Sequence, residues 1–400
     1  MTRTLFTGGR LFDGTSFGTG DVVVSGGRVV EVGSGLDGDV VVDCSGATVL
    51  PGLVDCHVHA MFSGIDLLRM VQQPFSYPFY EAIRNLGATL ACGITTVRDA
   101  GGADLGLKRA VDDGLVVGPR LQISITILSQ TGGHGDDWMP CGADVPLLVA
   151  HPGRPTSVVD GVDDMRRKAR EVLRAGADVL KVCTTGGVLS AADDPRHSQF
   201  SAAELDVLVA EASAQHKPVM AHAQGAEGIK NAVRAGIRSV EHGIYLDDEG
   251  IELMLAAGTW LVPTLAAPLA VIAAADAGAA IPEVMVTKAR AVADIHRGAI
   301  ARAVDAGVRI AMGTDSGVGP HGSNLDELPL MAGCGMTPQQ VWTATTSGAA
   351  YLLGREGDLG RLAPGFVGDV VVLDGDAQDL SGLRGRIREV WKDGVRVVAR

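Results

Sequence analysis

Aromatic side chains are scarce in this 400-residue chain, at 4%, and long uninterrupted apolar runs are missing. No stretch supplies the ~20 consecutive apolar residues that a membrane-spanning helix needs. Residues 1–21 lack the apolar core and small-residue cleavage pattern of a secretory signal. Positive charge is in deficit. The 34 Lys and Arg against 47 Asp and Glu give a formal net charge of -13, which argues against nucleic acid and anionic membrane surfaces as partners. A small anionic substrate stays compatible, because a pocket can be locally basic on an acidic protein. Cysteine is sparse as well: Cys44, Cys56, Cys92, Cys141, Cys183 and Cys334 form no CxxC pair. They read as reduced thiols of a cytoplasmic protein. Cys56 immediately precedes His57, but strand alternation points it away from His57 and His59.

What remains is a composition that is 46% hydrophobic and 20% charged, that of a folded globular chain with a large core. Both ends are rich in short β-branched runs separated by glycine turns. Thr4-Leu5-Phe6, Asp21-Val22-Val23-Val24, Arg28 to Val32 and Val40-Val41-Val42 stand at one end. Residues 368–373 and 388–397 stand at the other, with turn signals at Val367-Gly368-Asp369 and Lys392-Asp393-Gly394. These ends, 1–52 and 355–400, are expected to assemble one small β-sandwich. Over 53–354 the texture changes to apolar runs alternating with Ala-rich helical stretches such as 162–175, 202–215 and 284–306. Eight candidate strands can be counted, from Val54-Asp55-Cys56 to Ile310-Ala311-Met312. That alternation predicts βαβ units closing into a (β/α)8 TIM barrel, an α/β fold. No Gly-rich phosphate turn follows the first strand, which disfavours a doubly wound sheet.

The strongest local signal is Pro51-Gly52-Leu53-Val54-Asp55-Cys56-His57-Val58-His59. Residues two apart in a strand share a face, so His57 and His59 can grip one ion. Four more ligand types end expected strands downstream: Lys181, His222, His242 and Asp315. Each alone could be a hydrogen-bonded histidine, a surface lysine or a capping aspartate. Together, in order at the C-terminal ends of successive strands, they mark the face where barrels keep their active sites.

This arrangement resembles the amidohydrolase superfamily. The resemblance extends from about Gly8 to Val398. Thr95-Thr96-Val97-Arg98-Asp99, Gly132-Gly133-His134-Gly135-Asp136 and Glu241-His242-Gly243-Ile244-Tyr245-Leu246-Asp247 are similar to the branch with Xaa-Pro dipeptidases (prolidases), zinc carboxypeptidases and imidazolonepropionase-like proteins. The resemblance implies two divalent ions, with zinc the first candidate. His57, His59 and Asp315 would hold the inner ion, His222 and His242 the outer, and an N6-carboxylated Lys181 would bridge them. It further implies a bridging hydroxide as nucleophile and Asp315 as proton shuttle, with His134 and Tyr245 contacting the substrate's carbonyl or carboxylate. Arg98 is a candidate carboxylate clamp, or else an ion-pair partner of Asp99 or another barrel acid. Tyr245 could instead pack at the rim.

The activity expected is cleavage of an amide or C-terminal peptide bond in an Xaa-Pro dipeptide or N-acyl amino acid. The alternatives are a cyclic amide, carbamate or lactone hydrolase on the same metals, or a non-catalytic scaffold, which would be expected to lack ligands. Residues 61–80 carry Phe62, Phe75, Tyr77, Phe79 and Tyr80, which suggests an apolar lid or an oligomer contact. A small-molecule substrate and a homo-oligomer are the partners expected.

Overall fold

The computed structural model describes residues 1–139 and 141–399. At the chain ends the β-branched runs pair into two sheets. One has the strand order Arg28–Gly33, Asp21–Ser25, Arg3–Thr7, Val40–Asp43. The other runs Val395–Ala399, Ile387–Lys392, Val370–Asp374, Ala47–Pro51, Arg10–Phe12, Phe17–Thr19. It joins the two ends of the chain, since Val370–Asp374 lies antiparallel to Ala47–Pro51 with Val372 opposite Val49. Arg10–Phe12, Phe17–Thr19 and Ala47–Pro51 lie outside the runs expected from sequence. Side chains of both sheets share one apolar cluster that includes Phe6, Val24, Val49, Val370 and Trp391. Phe6 meets Trp391 edge-on, with ring centroids 5.2 Å apart, the geometry that the ring quadrupoles favour.

The middle of the chain alternates strand and helix. Leu53–Val58, Ile94–Asp99 and Arg120–Ile123 form a parallel three-stranded sheet. Ile127–Leu128, Leu180–Cys183, Val219–Ala223, Ser239–His242 and Trp260–Val262 form a parallel five-stranded one. Most of these strands are buried along their whole length, as expected of parallel strands covered on both faces. The helices Val162–Arg174, Ala202–Ser213 and Glu283–Ala306 fall where the Ala-rich stretches lie. Ser201 and Glu204 close a capping box at the start of the second, and Gly307 at φ +83 ends the third. The architecture is mixed α/β of the TIM-barrel type. Cys56 packs with Val54, Trp260 and Val262.

The expected strand at Ile310-Ala311-Met312 does not form a regular ladder. Segment 309–316 lies between the two sheets and touches each at isolated points. Ala311 N donates to Leu261 O at 3.0 Å, and Cys56 N donates to Met312 O at 2.9 Å. The reason is local. A Cβ on Gly313 would stand 2.3 Å from Val262 and 2.9 Å from His57, and Asp315 takes φ +58. The chain therefore leaves extended geometry as it delivers that carboxylate.

The aromatic segment 61–80 divides between interior and surface: Phe62 is buried, while Phe75, Tyr77 and Tyr80 are exposed. No helix among the described residues is long and apolar enough to cross a membrane. The two regions meet at Gly52, whose N–H donates to Asp369 O at 2.9 Å. A Cβ there would sit 2.2 Å from Thr95. Arg120 reinforces the junction through ion pairs to Asp369 and Asp393.

Removing the Trp391 indole should open a cavity against Phe6 and cost ~3 kcal/mol of unfolding free energy, read by urea denaturation. A loss below about 1 kcal/mol, the ordinary range for a surface change, would show that this cluster is not a cooperative core.

Candidate metal centre and active-site cavity

His57 and His59 point to the same interior space from one strand and its continuation. Their Nε2 atoms approach Asp315 Oδ1 at 3.5 and 3.2 Å, and the ligand atoms of all three residues lie within 4.8 Å of one another. The His242 ring stands 5.1 Å from that of His57 and 4.6 Å from that of His222. Lys181 joins these five residues in the lining of one cavity. All six expected ligands thus share a single site.

Each imidazole is committed at one nitrogen and open at the other. His57 Nδ1 meets Glu241 Oε2 at 2.7 Å, His59 Nδ1 meets Gly101 O at 2.8 Å, and His242 Nδ1 meets Thr264 Oγ1 at 2.7 Å. His222 uses Nε2 instead, towards Gly186 O at 3.1 Å. An acceptor on one ring nitrogen makes it the N–H and leaves the other a lone pair. Lys181 Nζ and Asp315 Oδ1 are buried with no hydrogen-bond partner. Burial lowers the Lys181 pKa by favouring the neutral amine. Burial raises that of Asp315, but His57 and His59 outweigh it and hold the carboxyl below its usual range. Burial, with cationic neighbours adding to it, drives His57, His222 and His242 well below the ordinary histidine value. Burial lowers His59 too, but the nearby Asp315 and Asp99 carboxylates with Gly101 O together outweigh it, and its pKa rises. Imidazoles with a free ring nitrogen, a buried carboxylate and a lysine whose basicity burial reduces are groups that a divalent cation accepts or that CO2 can convert into a ligand. The residues fit a metal.

Backbone strain concentrates here. His242, Thr264 and Asp315 sit at φ +73, +52 and +58, a region that non-glycine residues rarely occupy. Arg98 is not in the cavity wall, and of its two expected roles the geometry has the ion pair with a buried acid. Its side chain is 2% exposed and places Nε on Cys56 O, Nη1 on Ser239 Oγ and Nη2 on Glu241 Oε1. Its acidic partner is Glu241; Asp99 instead accepts the backbone N–H groups of Ala60, Gly101 and Ala103.

His134 does line the cavity. Its ring stacks on His222 with centroids 4.1 Å apart, and its Nδ1 lies 2.9 Å from Ser190 Oγ. The Ser190 hydroxyl donates to Asp193 Oδ1, so it accepts from His134 Nδ1–H. Burial holds His134 below the usual histidine range. The neutral ring therefore presents Nε2 as an acceptor, and a donor role towards an oxyanion requires protonation. Lys288 Nζ fixes the supporting loop by donating to Gly187 O, Ser190 O and Asp193 O. Gly187 is required: a Cβ there would stand 2.2 Å from the His134 ring. Tyr245 is half-buried. It packs against the cluster containing Val188, Ile244 and Val271 but does not itself line the cavity. The wall is mostly apolar, with Phe62, Ile65, Leu67, Met70, Leu189 and Val271 among its members.

Glu241, Thr264, Ser190, Asp193 and Lys288 were not assigned roles from sequence. The Glu241-His242 pair was the one signal present for Glu241; the others are single polar residues in loops or on a helix.

The amidohydrolase family model matches residues 48–398, and the chain belongs to that family. It is a hydrolase acting on C–N bonds. Ochratoxinase from Aspergillus niger is 36% identical over 365 residues, covering 86% of this chain and 75% of that protein. A solved prolidase complexed with N-methylphosphonate-L-proline superposes with a TM-score of 0.91 at 34% identity, over 100% of both chains. A Xaa-Pro dipeptidase with methionine bound in its active site gives 0.90 at 32% identity, over 99% of each.

Glu241→Gln should weaken metal affinity by roughly 10- to 100-fold, measured by competition with a chelator, because His57 loses its charged partner. Gly187→Ala should displace His134 and lower kcat/KM without changing metal content. Unaltered kinetics would show that the His134 position does not matter.

Proposed function

We propose that this protein is a binuclear metal-dependent amidohydrolase. Its substrate would carry an amide or C-terminal peptide bond of the Xaa-Pro dipeptide or N-acyl amino acid type. One observation carries the reading: four histidines with an open ring nitrogen, an unpartnered Lys181 Nζ and an unpartnered Asp315 Oδ1 line one buried cavity. The prolidase and dipeptidase neighbours support the substrate class. The same reading takes the strands of the middle region as a closed (β/α)8 barrel and the terminal sheets as a sandwich of 1–52 with 355–400. Six free cysteines fit a reducing cytoplasmic compartment.

In this reading His57, His59 and Asp315 hold the inner divalent ion, zinc first among candidates, and His222 and His242 hold the outer. Lys181 serves both as its N6-carboxylated form, which its suppressed basicity favours. Bound ions would supply Lewis acidity, polarising the scissile carbonyl and lowering the pKa of the attacking water towards ~7. Asp315 takes the proton released by the attacking water on the carboxylate oxygen that faces away from His57 and His59, and returns it to the leaving amine nitrogen. His134 orients the substrate from the wall, and Tyr245 acts from behind it. Arg98 pairs with Glu241, whose other oxygen meets His57 Nδ1 and thereby keeps His57 in its tautomer.

Protein purified with zinc and bicarbonate should contain two ions per chain by elemental analysis and should hydrolyse members of a panel of Xaa-Pro dipeptides and N-acyl amino acids. Well under one ion per chain, with no gain on reconstitution, would remove the reading. Asp315→Asn should retain metal while kcat falls about 10³-fold; near-normal turnover would end the proton-shuttle role.

A further inference from the structure

The cavity has a charge arrangement that the metal ligands do not explain. Among the described residues lining it, Lys181 is the one Lys or Arg. The lobe that continues from it past His134 and Trp138 has none. Asp137 lines both. Among the described residues its carboxyl takes the backbone N–H of Leu147 and meets no Lys or Arg. Burial pushes this group up to about 7, with Asp136 and Asp144 nearby and no cation to offset them. Its backbone sits at φ +59, a left-handed conformation that fixes where a non-glycine side chain points.

Gln224 is a second, independent acceptor in the same lining. It is buried, and its Oε1 lacks a partner. Outside the ligand set, Asp137 is the one carboxylate among the described residues lining this cavity, and much of the remaining surface is apolar. A half-buried carboxylate that faces an apolar cavity without a cation is costly, and a ligand ammonium relieves that cost.

Resting on the amide-hydrolase reading, we infer that Asp137 is a specificity-determining residue. It takes the ammonium of an aminoacyl group with an apolar side chain, so that unblocked dipeptides are preferred over N-acylated amino acids. The aminoacyl side chain enters the apolar lobe lined by Leu67, Trp138 and Met285. A neutral acyl group in that place leaves the carboxylate unpaired. Sites built around a polar contact reject analogues lacking it more strongly than apolar pockets reject a size mismatch.

The test compares Met-Pro with N-acetyl-Met-Pro, using zinc-reconstituted full-length protein and its Asp137→Asn variant. Asn tolerates the left-handed backbone at this position better than most residues. The wild type should favour Met-Pro by about 100-fold in kcat/KM. Asp137→Asn should erase that preference, chiefly by raising KM for Met-Pro, and should leave N-acetyl-Met-Pro within about threefold. Equal efficiency on both substrates, or a parallel loss on both in the variant, overturns the inference. Calorimetry with methioninamide and N-acetylmethioninamide separates this result from failure of the catalytic reading. Tighter binding of the free amine, lost in Asp137→Asn, supports Asp137 as selector even without turnover. No preference between the two ligands overturns it, whatever the activity.

Discussion

The site depends on a carboxylate with no exposed surface. Glu241 takes Arg98 Nη2 and Ser239 Oγ on one oxygen and His57 Nδ1 on the other. A buried ion is tolerated only when its partners are close and its lone pairs are filled. Here a guanidinium supplies the charge and an imidazole the remaining donor. The consequence reaches outward from this pair. A fixed His57 turns Nε2 towards Asp315. Glu241 immediately precedes His242 in the chain, so the anchor of the first strand and the ligand of a distant one share a backbone.

Two further buried carboxyls brace the ligands without any cation. Asp55 accepts from His57 N, Thr314 N, Thr314 Oγ1 and Asn324 Nδ2, and burial pushes it up to about 6. It ties Leu53–Val58 to the segment that carries Asp315. Glu327 accepts from Leu265 N at 2.7 Å and Ala266 N at 2.8 Å, and burial pushes it up to about 8. It holds the chain next to Thr264, which fixes His242 Nδ1. Backbone N–H groups and neutral side chains stabilise these carboxyls, so the immediate surroundings gain no cation to repel a metal.

The six residues gathered in the cavity were legible because they follow strand periodicity: His57 and His59 are two apart, and the others end apolar runs. Glu241 was not, for a related reason. Alternation puts neighbours in a strand on opposite faces, so Glu241 and His242 could not both be assigned to the interior. His242 at φ +73 breaks the alternation and lets both point inward. For Arg98 the sequence left a clamp and an ion pair both open, because nothing local marks how deep a side chain lies among packed strands; its pair is Glu241. The 310–312 segment looked like a strand because its composition is that of one, while Gly313 and Asp315 decide its path through contacts distant in sequence. Asp137 lies in an irregular loop without periodicity, where the polarity of a residue says little about which way it faces.

Gly52 is one residue long as a connection between the terminal sheets and the first ligand strand, and it has no space for a side chain. Ala47–Pro51 on one side of it is paired along its whole length with Val370–Asp374, near the other end of the chain. Mechanically this is a direct load path. Tension applied near the C-terminus passes through the antiparallel clamp and across one residue into the strand that carries His57. The terminal sheets therefore act as a tether on the catalytic strand, and its slack is one residue.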